Sequence, residues 1–228
     1  MQGYNQIRRI FFIACAVLFI SCTVVRNEQV SSGSIAADEE EFKGFSYRDS
    51  NFSPQEYADA IWEPVILPRI ENMAVGFSEL FGELKSDENS ASRKYGFRHL
   101  EEGNLFNFAV KGQVRILSVD TSSMNGFAAV DFAPFDGQAD FHLCIGPIFR
   151  GNTIRDIQDT ISINDFLNQT EFARLARELN NKVRDTVVND IDFSLYIGKE
   201  AEILGVFTYS GMGSVIEIVP LRLSLNRE

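Results

Sequence analysis

Two arginines within a short segment are the residues whose type and spacing best suit the binding of an anion. The arginine segment, residues 146–165, contains Arg150 and Arg155 beside a predicted helix start at residues 153–156. Free backbone N–H groups at a helix start attract anions, and a guanidinium can bind a carboxylate or phosphate in a bidentate manner. The alternative is internal pairing that pins the segment to the fold, and the acids available for it are Asp156, Asp159 and Asp165.

Polar side chains at the end of this segment could complete the same site. Asn164, Asp165 and Gln169 could bind a small solute together with Arg150 and Arg155. Such side chains also cap helix ends and satisfy backbone N–H groups, so a structural role stays open. These five residues are the candidate ligand-binding set, and no catalytic residue or metal ligand is assigned.

Three further side chains could perform acid–base chemistry. Asp120, Asp140 and His142 lie on or beside predicted strands, and the last two share one face of a strand because they are two residues apart. The patterns HExxH, GxSxG, Walker and paired cysteines do not accompany them. A hydrolase is therefore the alternative interpretation, and a surface Asp/His pair is the simpler one.

The charge balance limits the class of partner. The chain of 228 residues has 32 Asp and Glu against 21 Lys and Arg, a formal net charge of −11. Nucleic acid is bound mainly through clustered Lys and Arg, so it is not expected as a partner. Three Cys and two His are few for a Cys/His metal cluster or a disulfide framework, and we expect no metal or cofactor.

Helices are expected to precede the segment that carries these residues. Residues 53–104 form a predicted N-terminal helical segment, in which Ser53 supplies an N-cap just before a proline. Apolar residues recur at helical spacing beyond it, and Pro64 and Pro68 should break or kink this pattern into two helices. The polar residues 85–104 are predicted to be a connection.

The pattern changes to that of strands in residues 105–228. Alternation from Phe106 predicts a first strand, and Asn-Gly and Asp-Gly turns separate it from two more. A long amphipathic helix near residues 170–189 follows, and two strands end the chain. This order predicts the α+β class and a five-stranded OB-like β-barrel, with the long helix between strands 3 and 4. An open α+β sheet is the main rival.

An OB-like barrel would offer a second binding surface. Its ligands bind across strands two and three, here near residues 121–126 and 209–213. Aromatic side chains near these loops could stack on a sugar, although most of the 20 Phe must belong to the core; they are Phe127, Phe132, Phe141 and Tyr209.

The N-terminus indicates the location of the protein. Arg8 and Arg9 precede an apolar run that is too short to span a bilayer comfortably, so residues 1–21 are predicted to be a signal peptide. A small residue and then Cys22 end this run, as in the lipobox of bacterial lipoproteins. We expect acylated Cys22 to bind the lipid bilayer, and residues 22–52 to form a flexible acidic tether. An uncleaved anchor or ordinary secretory cleavage are the alternatives.

Short motifs occur in a fixed order from about residue 55 to residue 225. Among them are Tyr57-Ala58-Asp59-Ala60-Ile61-Trp62, Ile145-Gly146-Pro147-Ile148-Phe149-Arg150-Gly151, Ile154-Arg155-Asp156 and Val219-Pro220-Leu221. In these motifs and their order the chain resembles the family of predicted periplasmic lipoproteins called domain of unknown function 2291. The resemblance implies an envelope lipoprotein that is often encoded near sugar ABC-transporter components and has no established activity.

The expected function is that of a non-catalytic envelope module. It would bind a small solute or contact a sugar-transporter component, on the periplasmic or cell-surface side of a bacterial membrane. A hydrolase that uses the Asp/His groups and a purely structural envelope protein are the alternatives.

Overall fold

The computed structural model describes residues 52–98, 105–211 and 213–225. The predicted signal peptide, Cys22 and nearly all of the tether lie outside these residues, as does the predicted boundary at residue 104. The helical elements before the main sheet are α1 (Pro54–Ile61), a first π-helical turn (Trp62–Ile66), α2 (Leu67–Met73), α3 (Phe77–Ser86) and α4 (Glu88–Tyr95).

The first helical stretch passes through both prolines. Ser53 Oγ accepts a hydrogen bond from the backbone N–H of Glu56, which confirms the predicted N-cap. Pro64 lies inside the π-helical turn, where the N–H of Leu67 bonds to the carbonyl of Trp62. The wider turn accommodates a residue that lacks an N–H and would clash with the carbonyl four residues earlier. The chain leaves the helix only at Ala74.

The polar connection predicted over residues 85–104 is wrong for part of its length, because α4 lies within it. The Asp87 carboxylate caps this helix by accepting the N–H of Ser90 at 3.0 Å, and Ala91 and Ser92 are buried. A capped helix of two turns with two small buried residues has too weak an apolar pattern to be found from the sequence.

Within the described residues six strands form the sheet, one more than predicted. The additional strand, β1, has two residues and pairs in parallel with β2 at Val75 and Val110. It lies between two helices, where a long helical pattern hides so short a strand. The strands are β1 (Val75–Gly76), β2 (Phe106–Asp120), β3 (Phe127–Phe132), β4 (Phe141–Cys144), β5 (Glu200–Tyr209) and β6 (Glu217–Leu225).

The long strand β2 pairs with β3 and β5 in addition to β1. Residues Phe106 to Arg115 pair with β5, and Val114 to Asp120 pair with β3. The other pairings are β3–β4, β4–β6 and β6–β5. The strand pairings therefore form a closed circuit through five strands, in the order β2, β3, β4, β6, β5 and back to β2. A register shift after Ile116 and the positive φ of Gly112 allow β2 to bend along this path.

The segment between β4 and β5 contains the remaining helical elements. Its long helix, α6, buries Leu175, Leu179 and Val183 in a core that also contains residues of the N-terminal helices and of the sheet. Within the described residues, no helix has the length and apolar character needed to span a bilayer. The elements are α5 (Thr153–Asp156), a 3₁₀ turn (Ile163–Asp165), α6 (Gln169–Val183), a second π-helical turn (Arg184–Val188) and a 3₁₀ turn (Phe193–Tyr196).

Candidate functional site

Arg155 of the arginine segment is occupied by internal contacts. Its side chain is buried, Nη2 lies 2.6 Å from Oδ1 of Asp156, and Nε donates to the same oxygen. Nη1 donates to the carbonyl of Phe172 at 2.9 Å, and the guanidinium lies 3.6 Å from the centre of that ring. Arg155 therefore makes the internal pairing that the sequence predicts as the alternative to an anion site.

The other candidate residues of this region occupy different settings. Arg150, Asn164 and Gln169 are exposed. Asp165 is half-buried, and its carboxylate accepts the N–H of Ser162 in a capping box. The structure therefore does not gather the five residues around one cavity that it describes.

Partly buried hydrogen bonds connect the arginine segment to the sheet. Thr208 Oγ1 donates to Oδ1 of Asn107 at 2.7 Å and lies 2.8 Å from Oγ1 of Thr153. Because the Thr208 proton is used, Thr153 is the donor in the second contact. Asn107 also donates to the carbonyl of Asp156. Sequence reasoning missed Asn107 and Thr208, whose signal was a polar residue within each of two apolar strands.

The groups of the hydrolase alternative are each engaged separately. Asp120 Oδ1 accepts hydrogen bonds from the hydroxyl and the N–H of Ser122, which lower the pKa of Asp120. The His142 ring stacks on Phe127 with 3.8 Å between ring centroids. Asp140 accepts the N–H of Phe132 at 2.9 Å. Over the part of the chain described, no group of three His, Cys, Asp or Glu could hold a metal ion.

A pocket of about 220 Å³ lies where helix α3 meets the β3–β4 and β5–β6 loops. We call it the aromatic pocket. Its volume is below the roughly 300–1,000 Å³ of typical ligand sites, so it suits a small ligand. The lining residues include Phe81, Lys85, Phe132, Asp140, Tyr209 and Gly211.

The rings of the aromatic pocket belong to a larger aromatic cluster. Phe81 and Phe132 are half-buried and stack with their centroids 5.4 Å apart and an interplanar angle of 20°. Phe81 stacks on Phe207, which stacks on Phe108, whose ring meets Tyr209 edge-on. The cluster holds the pocket rings in place and leaves part of two of them accessible.

Tyr209 lines this pocket and carries an unused polar group. The residue is 6% exposed, and its hydroxyl is enclosed with no hydrogen-bond partner among the described residues. Burial and the negative charge of Glu88 raise the pKa of Tyr209, so the phenol is neutral at physiological pH. An enclosed hydroxyl without a partner can both donate to and accept from a ligand.

Asp140 and Lys85 place opposite charges at the same pocket. Burial raises the pKa of Asp140, the hydrogen bond from Phe132 lowers it, and the nearby charge of Asp131 raises it further. The pocket thus combines apolar ring surface with a phenol, a carboxylate and an ammonium group.

The aromatic residues expected from the sequence fall into two groups. Phe132 and Tyr209 line the aromatic pocket. Phe141 is 1% exposed and packs on Phe77 in the core, and Phe127 packs against His142. Sequence reasoning missed Phe81 and Lys85, because the helical pattern assigns the first to the core and gives the second no distinguishing feature.

Comparison with known proteins identifies the family. A family model described as predicted periplasmic lipoprotein (DUF2291) matches residues 12–224. The chain belongs to the DUF2291 family. The resemblance proposed from the short motifs is therefore confirmed, and so is a lipid-anchored location in the periplasm. No curated protein matches the chain.

One solved structure relates this DUF2291 chain to a known fold. It is a crystal structure, at 1.90 Å resolution, of an OB-fold protein from Thermotoga maritima MSB8, with a TM-score of 0.65 and 22% sequence identity. The similarity covers 77% of this chain and 99% of the other. At this identity the similarity concerns the fold alone. It confirms a mixed α+β fold with an OB-fold relative.

The sequence predicts a role for one cysteine of this DUF2291 protein, and the structure describes the surroundings of another. Cys22, the predicted lipidation site, precedes the described residues and stays a prediction. Cys144 lies in β4 as a free thiol, and burial, with the charge of Glu217, raises its pKa to about 12. A thiol that keeps its proton at neutral pH is a poor nucleophile, so Cys144 is better described as a small packing residue.

Proposed function

We propose that this protein is a non-catalytic, lipid-anchored module that binds a small solute of the carbohydrate class in the aromatic pocket. The observation that carries the proposal is the enclosed Tyr209 hydroxyl, which has no partner among the described residues and lies beside partly open rings. Buried polar groups in folded proteins nearly always have a hydrogen-bond partner, so a ligand hydroxyl is a reasonable partner for this one.

A carbohydrate fits the chemistry of the aromatic pocket better than other small solutes do. A sugar ring presents C–H groups on its faces and hydroxyl groups at its edge. The first can pack on Phe81 and Phe132, and the second can bond to Tyr209, Asp140 and Lys85. Nucleic acid, the other common ligand of OB-folds, is disfavoured by the net charge of −11.

The finer architecture belongs to the same proposal. The closed circuit of strand pairings through β2 supports an OB-type barrel of five strands, β2 to β6. Helix α6 lies between β4 and β5, which are the third and fourth strands of that barrel. The β5–β6 loop, which lines the aromatic pocket, then corresponds to one of the loops by which OB-folds bind ligands. We also propose that the solute belongs to a sugar ABC-transport system, on the sole ground of the gene neighbourhood that the resemblance implies.

A panel of sugars tests the proposal directly. The protein is mixed with neutral pentoses and hexoses, hexuronates and amino sugars, and its melting temperature is measured, with calorimetry for each sugar that raises it. We expect at least one sugar to stabilise the protein. Tyr209→Phe should lower the affinity for that sugar about fivefold, which is the equivalent of one lost hydrogen bond of about 1 kcal/mol.

Tyr95→Phe is the matched control, because the Tyr95 hydroxyl donates to Glu79 and Tyr95 does not line the aromatic pocket. Its affinity should equal that of the wild type. The proposal is wrong if no sugar in the panel changes the melting temperature, or if Tyr209→Phe binds as tightly as the wild type. Turnover that is lost in an Asp140→Ala/His142→Ala variant would favour the hydrolase alternative instead.

A further inference from the structure

A second and larger cavity lies apart from the aromatic pocket and shares no lining residue with it. This groove has a volume of about 750 Å³ and is bounded by both π-helical turns, helix α2 and strands β5 and β6. The volume is within the range of specific ligand sites. Its floor is apolar and at least nine-tenths buried; the residues are Trp62, Leu67, Ile203, Leu204 and Leu221.

Both π-helical turns of the described chain contribute side chains to this groove. The first supplies Trp62 and Glu63, and the second supplies Asp185, Thr186 and Val187. Each turn has the wide hydrogen bond of the π-helix, from Leu67 to Trp62 and from Asn189 to Arg184. π-Helical turns are rare and frequently lie at functional sites. Their convergence is an observation independent of the cavity itself.

The rim of the groove carries a net negative charge. Glu71 pairs with Arg222 at 2.9 Å, and Asp185 pairs with Arg184 at 2.7 Å. The remaining basic group, Lys111, donates to the backbone carbonyl of Glu71. The remaining rim carboxylates are exposed and have no ion pair or hydrogen bond with any described residue; they are Glu63, Asp190 and Glu202.

We propose that the groove docks an extended basic segment of a partner protein. An apolar side chain of that segment would cover the floor, and flanking Lys or Arg side chains would meet the rim. The three carboxylates come from three different elements around the floor, the first π-helical turn, the loop after the second one and β5. No group of three carboxylates among the described residues could hold a metal ion, whereas an extended basic peptide can reach carboxylates on separate elements.

Trp62 gives a direct measurement of this docking, because it is the only tryptophan of the chain and forms part of the floor. The probe is a blocked pentapeptide that alternates lysine and leucine and contains no aromatic residue. We expect a saturable change in Trp62 emission, and an affinity that falls as salt is added. A lysine/serine peptide and a glutamate/leucine peptide should leave the emission unchanged.

A pair of charge-matched variants tests the assignment to the groove. Glu63→Gln/Glu202→Gln should lower the affinity for the lysine/leucine peptide about fivefold, as expected for the loss of two exposed ion pairs. Glu56→Gln/Glu217→Gln removes the same number of exposed charges from outside the groove and should have no effect. The proposal is overturned if the peptide causes no saturable change, or if the two variants lose the same affinity.

Discussion

The arginine segment and the aromatic pocket differ in how far their polar groups are already used. In the arginine segment, Arg155 bonds to Asp156 and Phe172, and Thr153 bonds to Thr208. In the aromatic pocket, the Tyr209 hydroxyl is enclosed without a partner among the described residues. The comparison teaches that residues of the right chemical type make a binding site only where the fold leaves their bonding capacity open.

Replacement of Arg155 should have the largest effect on the free energy of unfolding. Arg155→Ala leaves the half-buried Asp156 carboxylate and the Phe172 carbonyl without their donor. Removing one partner of a buried pair typically costs 3–5 kcal/mol, and the partial exposure of Asp156 places the expected loss near 3 kcal/mol. Denaturant unfolding measures it.

Arg150→Ala is the control for this variant. Arg150 is exposed, so its replacement should change the free energy of unfolding by less than about 0.5 kcal/mol. If Arg155→Ala were as stable as Arg150→Ala and lost the binding of an anion, the arginine segment would be a site and the comparison would fail.

A methyl group at Gly146 should have the next largest effect. A Cβ there would overlap the backbone of Gly126 and lie 2.7 Å from the carbonyl oxygen of Met124, and backbone atoms cannot rotate away. Gly146→Ala should therefore reduce the free energy of unfolding by about 1–3 kcal/mol.

Gly82→Ala provides the matched control for this substitution. Gly82 lies within α3 with open space around its Cβ position, so the variant should be up to about 1 kcal/mol more stable. Unchanged stability of Gly146→Ala would mean that the arginine segment is not fixed against the β2–β3 loop.

Loss of the Tyr209 hydroxyl should leave the stability of the ligand-free protein unchanged or raise it by up to about 1 kcal/mol. Tyr209→Phe removes an enclosed polar group that has no partner among the described residues. Tyr95→Phe loses a hydrogen bond to Glu79 and should be about 0.5–1 kcal/mol less stable. Thermal unfolding of the two variants and of the wild type measures these changes in stability. A Tyr209→Phe variant less stable than Tyr95→Phe would show that the hydroxyl has an internal partner.

The smallest effect expected is the pH dependence of Asp140. Burial raises the pKa of Asp140, so the folded protein holds this proton more tightly than the unfolded chain does. The resulting stabilisation is present at low pH and is lost as pH rises from the ordinary Asp range, near 4, through the raised value. Asp140→Asn, which keeps an acceptor for Phe132, should equal the wild type near pH 4 and exceed its stability at pH 7.

The expected gain is below about 1 kcal/mol, because the carboxylate is largely exposed. Denaturant midpoints at several pH values measure it. A wild type that is more stable than Asp140→Asn at pH 7 would mean that Lys85 compensates this carboxylate, and the pocket would then resemble the arginine segment.

The strands and the long helix could be predicted from residue patterns along the chain. Alternation from Phe106 and a helical stripe that ends in Val183 each show one buried face. The helix α4 and the strand β1 were not predicted, because a short element has too few residues to show a periodic pattern of apolar side chains. The π-helical turns were not predicted either, since prolines in a helical pattern predict a break and give no sign of a wider turn.

The sequence by itself determined the family, the order of most elements and the expectation of an exported, lipid-anchored protein, because these are properties of short motifs and of residue spacing. Only the tertiary structure decided which polar groups are free. Thr208 bonds to Asn107 on a neighbouring strand, and Phe81 on a helix meets Phe132 on a strand. Such partners are far apart along the chain and come together only when the chain packs, so the site depends on contacts that no local pattern contains.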